Sequence, residues 1–318
     1  MYSPAQKLLS QYYPESPIVK SVSELLVFKA SNIITIFGNG PSALDLLLKY
    51  IYNSHRHDIS GTSVLSLLKI PEITFYLTEP YFLLNEYIEL NSQESLSNYS
   101  IHLLLTHEWI CAASKATNIK CILPNPQFPS NQYGYIEAVR SPFLYVPDWT
   151  FINESSDALI DHGLDIYFMQ PKKLMKILNF RGSIIRQISL SFILGYRTIN
   201  LVGIDPSICS YWYTSYPSSI LGLLKDNYHE RCSNLFAKMG QLLSTQSDPR
   251  QAFGSGLYHN TIGKYEFTRS IFVVVKKYLS HSDFSSTYFC YRGSDTQVLE
   301  ILLELNLLDH PRFVLRGD

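Results

Sequence analysis

The sequence has little of what marks a nucleic-acid binder, a disulfide scaffold or a membrane span. Positive charge is not in excess: 26 Lys and Arg stand against 27 Asp and Glu, a formal net charge of −1. A chain that neutralises phosphates along a nucleic acid normally carries a basic surplus. Cysteine is sparse: Cys111, Cys121, Cys209, Cys232 and Cys290 are odd in number, scattered, and without a Cys-x-x-Cys pair. That argues against a disulfide framework and a structural zinc site, and fits a reducing compartment. No apolar run approaches the roughly 20 residues of a membrane helix. The opening MYSPAQKLLSQYYPESP lacks the basic start and unbroken apolar stretch of a secretory signal. The expected location is cytoplasmic, with peripheral attachment to the inner membrane left open.

What is present is the composition of a folded protein. Apolar residues make up 46% and charged residues 17% of 318, enough for one large domain with an insertion or for two domains. Tyrosine is abundant, at 23; its ring and hydroxyl suit clefts that grip polar ligands.

The most informative stretch is IITIFGNGPSALDLL, residues 33–47. Ile33, Ile34, Ile36 and Phe37 predict a buried strand, and the leucines after Ser42 fall at helical spacing. Between them Gly38 and Gly40 allow a tight turn and close approach of a ligand to the main chain. Pro41 suits a first helical turn. A strand–turn–helix of this kind leaves N–H groups at the helix start, which favour an anion, often a phosphate. A purely structural turn is the competing reading, since one Gly-x-Gly is a weak signal.

A second unit is SIIRQISLSFILGYRTINLVGID, residues 183–205. Ile184, Ile188, Phe192 and Ile193 share a helical face, Gly195 stands at a helix C-terminus, and TINLVGID predicts a strand with Asp205 at its carboxyl end. In open α/β sheets ligands bind at the carboxyl ends of strands, so Gly38–Ser42 and Asp205 can serve one ligand. Residues 55–60 read as a loop, 72–80 as a strand, 101–109 as strand or helix, and 119–134 as a strand broken by three prolines. Residues 155–180 look helical in part through Leu159, Ile166, Leu174, Ile177 and Leu178. Asp157, Asp161 and Asp165 fit a solvated helix face rather than a metal site.

The expected architecture is α/β: a Rossmann-like, mostly parallel sheet flanked by helices, with a lid insertion. Residues 1–30 are an N-terminal extension, with a short helix near Val22–Val27. Residues 31–205 with 259–292 form the nucleotide-binding domain, 206–258 the lid, and 293–318 a C-terminal helix that packs on the body or docks on a partner or membrane. STYFCYR, 286–292, predicts the last strand.

These blocks resemble the lipooligosaccharide sialyltransferases of glycosyltransferase family 42. Gly38-Asn39-Gly40-Pro41-Ser42 is similar to their nucleotide-binding turn. Arg181-Gly182-Ser183, Leu194-Gly195-Tyr196 and Gly203-Ile204-Asp205 are similar to their second block. Tyr211, Tyr213 and Tyr216 fall in the candidate lid, and Tyr258-His259 where it should end. Ser60-Gly61-Thr62 and Thr78-Glu79-Pro80 stand where the family carries asparagines, and Ser207 where it carries a lid tyrosine.

The resemblance implies inverting transfer of sialic acid or a related nonulosonic acid from its CMP ester to a hydroxyl of a glycan or lipooligosaccharide acceptor. His259 would be the base, with His229 its rival, and Tyr213 or Tyr211 would assist the departing phosphate. Gly38, Asn39, Gly40, Pro41, Ser42, Arg181, Ser183 and Asp205 would bind the donor. No cofactor and no metal are expected, since the sequence has no Asp-x-Asp, the usual clamp for a metal diphosphate. The expected partners are the CMP-sugar and the acceptor glycan, not nucleic acid; self-association is left open. Rival readings are a CMP-Kdo or pseudaminic-type transferase, an ATP-dependent pterin diphosphokinase-like enzyme, and a non-catalytic module that binds nucleotide sugars.

Overall fold

The computed structural model describes residues 22–52, 57–77, 108–109, 112–113, 116–123, 149–152, 156–170, 174–207, 221–245 and 264–316. Its centre is a seven-stranded sheet built from β1 (Ile33–Phe37), β2 (Asp58–Thr62), β3 (Ile73–Leu77), β4 (Ile119–Leu123), β7 (Thr198–Val202), β8 (Tyr288–Arg292) and β9 (Phe313–Arg316). The spatial order is β4-β3-β2-β1-β7-β8-β9, and every pairing is parallel. A separate parallel pair joins β5 (Trp149–Phe151) and β6 (Ile177–Asn179).

Helices cover both faces, so the fold is Rossmann-like α/β. One apolar cluster packs α2 (Asp157–Met169), α3 (Ser183–Ile193), α5 (Lys264–Ser280) and α6 (Thr296–Glu304) against the sheet. The other packs α1 (Ala43–Tyr52), residues 64–70 and α4 (Asp226–Thr245) on the opposite face. Burial on both faces is why β1 and β7 are mostly apolar, with Thr35 and Asn200 the buried polar exceptions. α3 is buried almost all round, from Ile184 to Phe192, and Phe192 stacks on Tyr278 of α5 at 4.4 Å between ring centres.

Strand order reverses between β1 and β7. Chain leaving β1 passes to β2, β3 and β4 on one side, while β7 opens the run to β8 and β9 on the other. A crevice opens where neighbouring strands send their chains in opposite directions. The two segments that border it are 38–42 and 203–205.

Three sequence expectations change here. Residues 58–60, read as loop, belong to β2, because its polar side chains are satisfied inside the fold. Asp58 accepts from the N–H groups of Ala30 and Ser31, at 3.1 and 3.2 Å, and from the hydroxyls of Thr74 and Tyr196, at 3.2 and 2.6 Å. Ser60 donates to Gln187 Oε1 at 2.8 Å and Thr62 to the Leu77 carbonyl at 2.7 Å. Secondly, Leu174, Ile177 and Leu178 are not helical, since α2 ends at Met169 and the last two lie in β6. Thirdly, the segment 293–318 holds the expected helix and also β9, so the strand at 288–292 is not the last. The helix α6 buries Val298, Ile301 and Leu302 against the body.

Candidate functional site

The turn after β1 is built on the main chain of the β7 end. Gly38 donates its N–H to the Val202 carbonyl and Gly40 to the Gly203 carbonyl, both at 2.8 Å. A Cβ on Gly38 would lie 2.3 Å from the Gly203 carbonyl oxygen, and one on Gly40 2.3 Å from Asp205 Oδ2. No side chain fits at either place. Gly203 has a φ of 76°, and a Cβ there would lie 2.7 Å from the Gly38 carbonyl oxygen.

Asp205 and Ser42 lock the two segments together. Asp205 Oδ2 accepts the Ser42 N–H at 2.8 Å, and Oδ1 accepts the Ser42 hydroxyl at 2.9 Å. The Ser42 Oγ in turn accepts the Gly203 N–H at 3.2 Å. The N–H groups of Ala43 and Leu44 close onto the carbonyls of Gly40 and Pro41. The start of α1 is therefore met by the protein's own carboxylate, which takes the favourable interaction that the helix dipole offers an anion.

The start of α3 is different. This helix leads through Leu194-Gly195-Tyr196 to the amino end of β7, so it runs against the strands and begins at their carboxyl side. Gly182, with φ 100°, precedes it; no side chain caps it and no acidic residue stands in its first turn. Its first N–H groups have no intrahelical acceptors. Asn179 and Gln187, 2% and 0% exposed, leave Nδ2 and Nε2 without an acceptor. Buried amide donors in that state are costly unless water or a ligand meets them. Unmet buried donors thus stand at Asn179 and Gln187, around the uncapped start of α3, rather than at α1.

Of the expected donor-binding residues, Gly38, Asn39, Gly40, Pro41, Ser42 and Asp205 lie together at the crevice, with Asn39, Pro41, Ser42 and Asp205 only partly buried. Ser183 is the first residue of α3 and half-buried. Arg181 is 6% exposed and sits in the left-handed region, φ 43°. Its Nη1 donates to the Ser270 hydroxyl and, at 3.3 Å, to the Glu266 carbonyl, both on α5. That nitrogen is engaged by the protein's own frame.

Tyr211, Tyr213, Tyr216, Tyr258 and His259 lie outside the described residues, as do 208–220 and 246–258 of the expected lid, whose described middle holds α4. His229 is described: it is exposed on α4, a helix whose buried side, Tyr228, Cys232 and Phe236, joins the α1-side core. Among the described residues, no group of three His, Cys, Asp or Glu could hold a metal ion. The described cysteines, Cys121, Cys232 and Cys290, are buried and form no disulfide.

Sequence reasoning missed how the chain after β7 is held. Asp295 Oδ2 accepts the N–H of Ser207, at 3.0 Å, and its hydroxyl, while Oδ1 caps α6 through the N–H groups of Gln297 and Val298. Tyr291 donates to the Ile204 carbonyl at 2.9 Å. Residues 203–207 are thus fixed from the β1 side by Ser42 and from the β8 side by Asp295 and Tyr291. An Asp directly before Thr-Gln-Val-Leu was readable as a helix cap; its second task was not. Ser207, where the resemblance called for a tyrosine, serves this tie.

No family model matches the chain, and no curated protein or solved structure matches it. Among the described residues no helix is long and apolar enough to cross a membrane.

Proposed function

We propose that the protein is an inverting glycosyltransferase that moves sialic acid or a related nonulosonic acid from its CMP ester to a hydroxyl of an acceptor glycan. One observation carries this reading. The two sequence blocks on which the resemblance rests, Gly38–Ser42 and Gly203–Asp205, come together at the switch point of a parallel sheet, joined by the Ser42–Asp205 hydrogen bonds.

The chemistry asks for three things. The leaving CMP develops phosphate charge and needs donors aimed at it. The turn at Gly38–Ser42 borders the crevice, and the uncapped α3 start with Ser183 offers N–H groups and a hydroxyl. The lid tyrosines, Tyr213 or Tyr211, would complete the set. The acceptor hydroxyl needs a base that titrates near neutral pH, and His259 fills that role by its place after the lid. Asp205 positions Ser42 and the turn rather than serving as the base, since both its carboxylate oxygens already accept from Ser42.

Thermal shifts with CMP, UDP, GDP and ATP test the reading. A ligand that binds only the native state raises Tm by mass action. CMP should raise Tm clearly and the diphosphonucleosides weakly or not at all; a preference for ATP would favour the diphosphokinase-like alternative.

A further inference from the structure

Arg292 and Arg316 end β8 and β9 and are direct partners in the parallel register. In-register residues of adjacent strands point to the same side of the sheet, so two guanidiniums project from one face at the sheet's carboxyl edge. That face is the one α1 covers. Arg292 pairs with Val202, which joins the α1-side core. Both arginines act on the Cys290 thiol, two residues back on β8: burial raises its pKa and their charges pull against it. Arg292 also acts electrostatically on Tyr50 of α1.

Two features of this pair are unfavourable in isolation. Like charges directly opposite on adjacent strands repel. Arg292 is half-buried, and its Nε is shielded from water without a hydrogen-bond partner. Among the described residues no carboxylate pairs with either guanidinium. Asn200 Oδ1, beside Cys290 in the register, is buried and likewise unmet. An anion held between the arginines would relieve the repulsion and satisfy the guanidinium edge, and a water or ligand hydroxyl would serve Asn200. Guanidiniums suit planar, two-point recognition of phosphate or carboxylate.

We infer that Arg292 and Arg316 form an oxyanion subsite, distinct from the β1–β7 crevice, that binds a phosphate or carboxylate carried by the acceptor. The assignment to the acceptor rests on the transferase reading; the anion site itself does not. β8 and β9 are the next strands beyond β7, so the subsite flanks the crevice at the carboxyl edge where a second substrate must approach. Ends of strands at that edge are where open α/β sheets place ligands.

The test uses the full chain with inorganic phosphate, at ionic strength held constant with sodium chloride. Phosphate should raise Tm saturably, and the rise should persist when CMP is saturating. Arg316→Ala, at an exposed position, should weaken phosphate binding about tenfold, the loss of one charge-assisted contact. The double change Arg292→Ala/Arg316→Ala should abolish it, and Arg292→Lys should retain part of it should the double variant fail to fold. No saturable shift, a shift removed by CMP, or one unchanged in Arg316→Ala would overturn the subsite. With activity in hand, Arg316→Ala should raise KM for a phosphorylated or carboxylated acceptor and leave KM for a neutral acceptor and for the donor unchanged. An equal effect on both acceptors would remove the acceptor assignment.

Discussion

Asp205 holds Ser42 by both its main-chain N–H and its hydroxyl, at 2.8 and 2.9 Å, across 163 residues of sequence. One carboxylate thereby joins the first βα turn to the strand on the other side of the switch point. Asp205→Ala leaves the Ser42 N–H and hydroxyl without their acceptor at a partly exposed place, where water replaces some of the loss. The expected destabilisation is about 1–3 kcal/mol in urea unfolding, and the Tm rise with CMP should shrink sharply because the turn is no longer held. Asp205→Asn keeps one acceptor oxygen and should fall between the variant and the wild type in both measurements.

On the proposed transferase reading, His259→Ala should lose about a hundredfold to ten-thousandfold in kcat, the usual weight of a general base. CMP affinity, read by calorimetry, should change little, since the base acts on the acceptor proton and not on the donor. His229→Ala should leave kcat unchanged, as that ring stands exposed on α4. Activity lost in His229→Ala and kept in His259→Ala would exchange the two assignments.

Three hydroxyls run through the core between α2, α3 and α5. Tyr278 meets Tyr167 at 2.8 Å and Ser189 at 2.7 Å, and Tyr167 donates onward to the Lys176 carbonyl at 2.8 Å. Burial pushes the Tyr167 phenol up to about 12 and also raises Tyr278 and Tyr196. Tyr278→Phe removes one member and should cost about 1–3 kcal/mol without altering CMP binding. These phenols also set an alkaline limit. Unfolded tyrosine ionises near pH 10 while the folded groups keep their protons, so the unfolded state binds fewer protons and stability falls as pH rises above about 10.

Lys225 gives the opposite slope in an adjoining window. Its Nζ donates to the Ser66 carbonyl at 3.0 Å and to Asn118 Oδ1 at 2.9 Å, and burial lowers its pKa from 10.5 to about 8. Between those two values the unfolded lysine keeps a proton that the folded one has lost. The unfolded state then binds more protons, and this residue's contribution to stability rises with pH from 8 to 10.5. The stability difference between wild type and Lys225→Met, followed by urea unfolding from pH 7 to 10.5, should move in favour of the wild type; a flat difference would show that the amine titrates normally. The difference form cancels the tyrosines.

Much of the frame was readable where burial dictated residue type. β1 and β7 are buried on both faces and mostly apolar, α3 shows helical spacing, and the glycines at 38 and 40 marked a turn that steric contact with Gly203 and Asp205 makes obligatory. β2 was not readable, because Asp58, Ser60 and Thr62 look like loop residues until Tyr196, Gln187 and Leu77 supply partners from distant sequence. β9 was missed because four residues, Phe-Val-Leu-Arg, carry too short a pattern to separate from a helix tail. The candidate site was legible as two motifs, and their contact followed from topology. The occupation of the α1 start by Asp205 was not legible, nor was the bond from Arg181 to Ser270, since each depends on a side-chain direction that spacing does not give.

The central position of β1 also governs the order in which the molecule can assemble. β1 pairs with β2, which begins at Asp58, yet its other edge waits for β7, which begins at Thr198. During synthesis an apolar strand therefore carries an open hydrogen-bonding edge while more than half of the chain is still to come, a state prone to pairing with other chains. Closing that edge draws together residues far apart in sequence, the kind of contact that slows folding. Polypeptides truncated before β7 should aggregate rather than fold, and nucleotide binding should arise as a late event, in step with the docking of the C-terminal half.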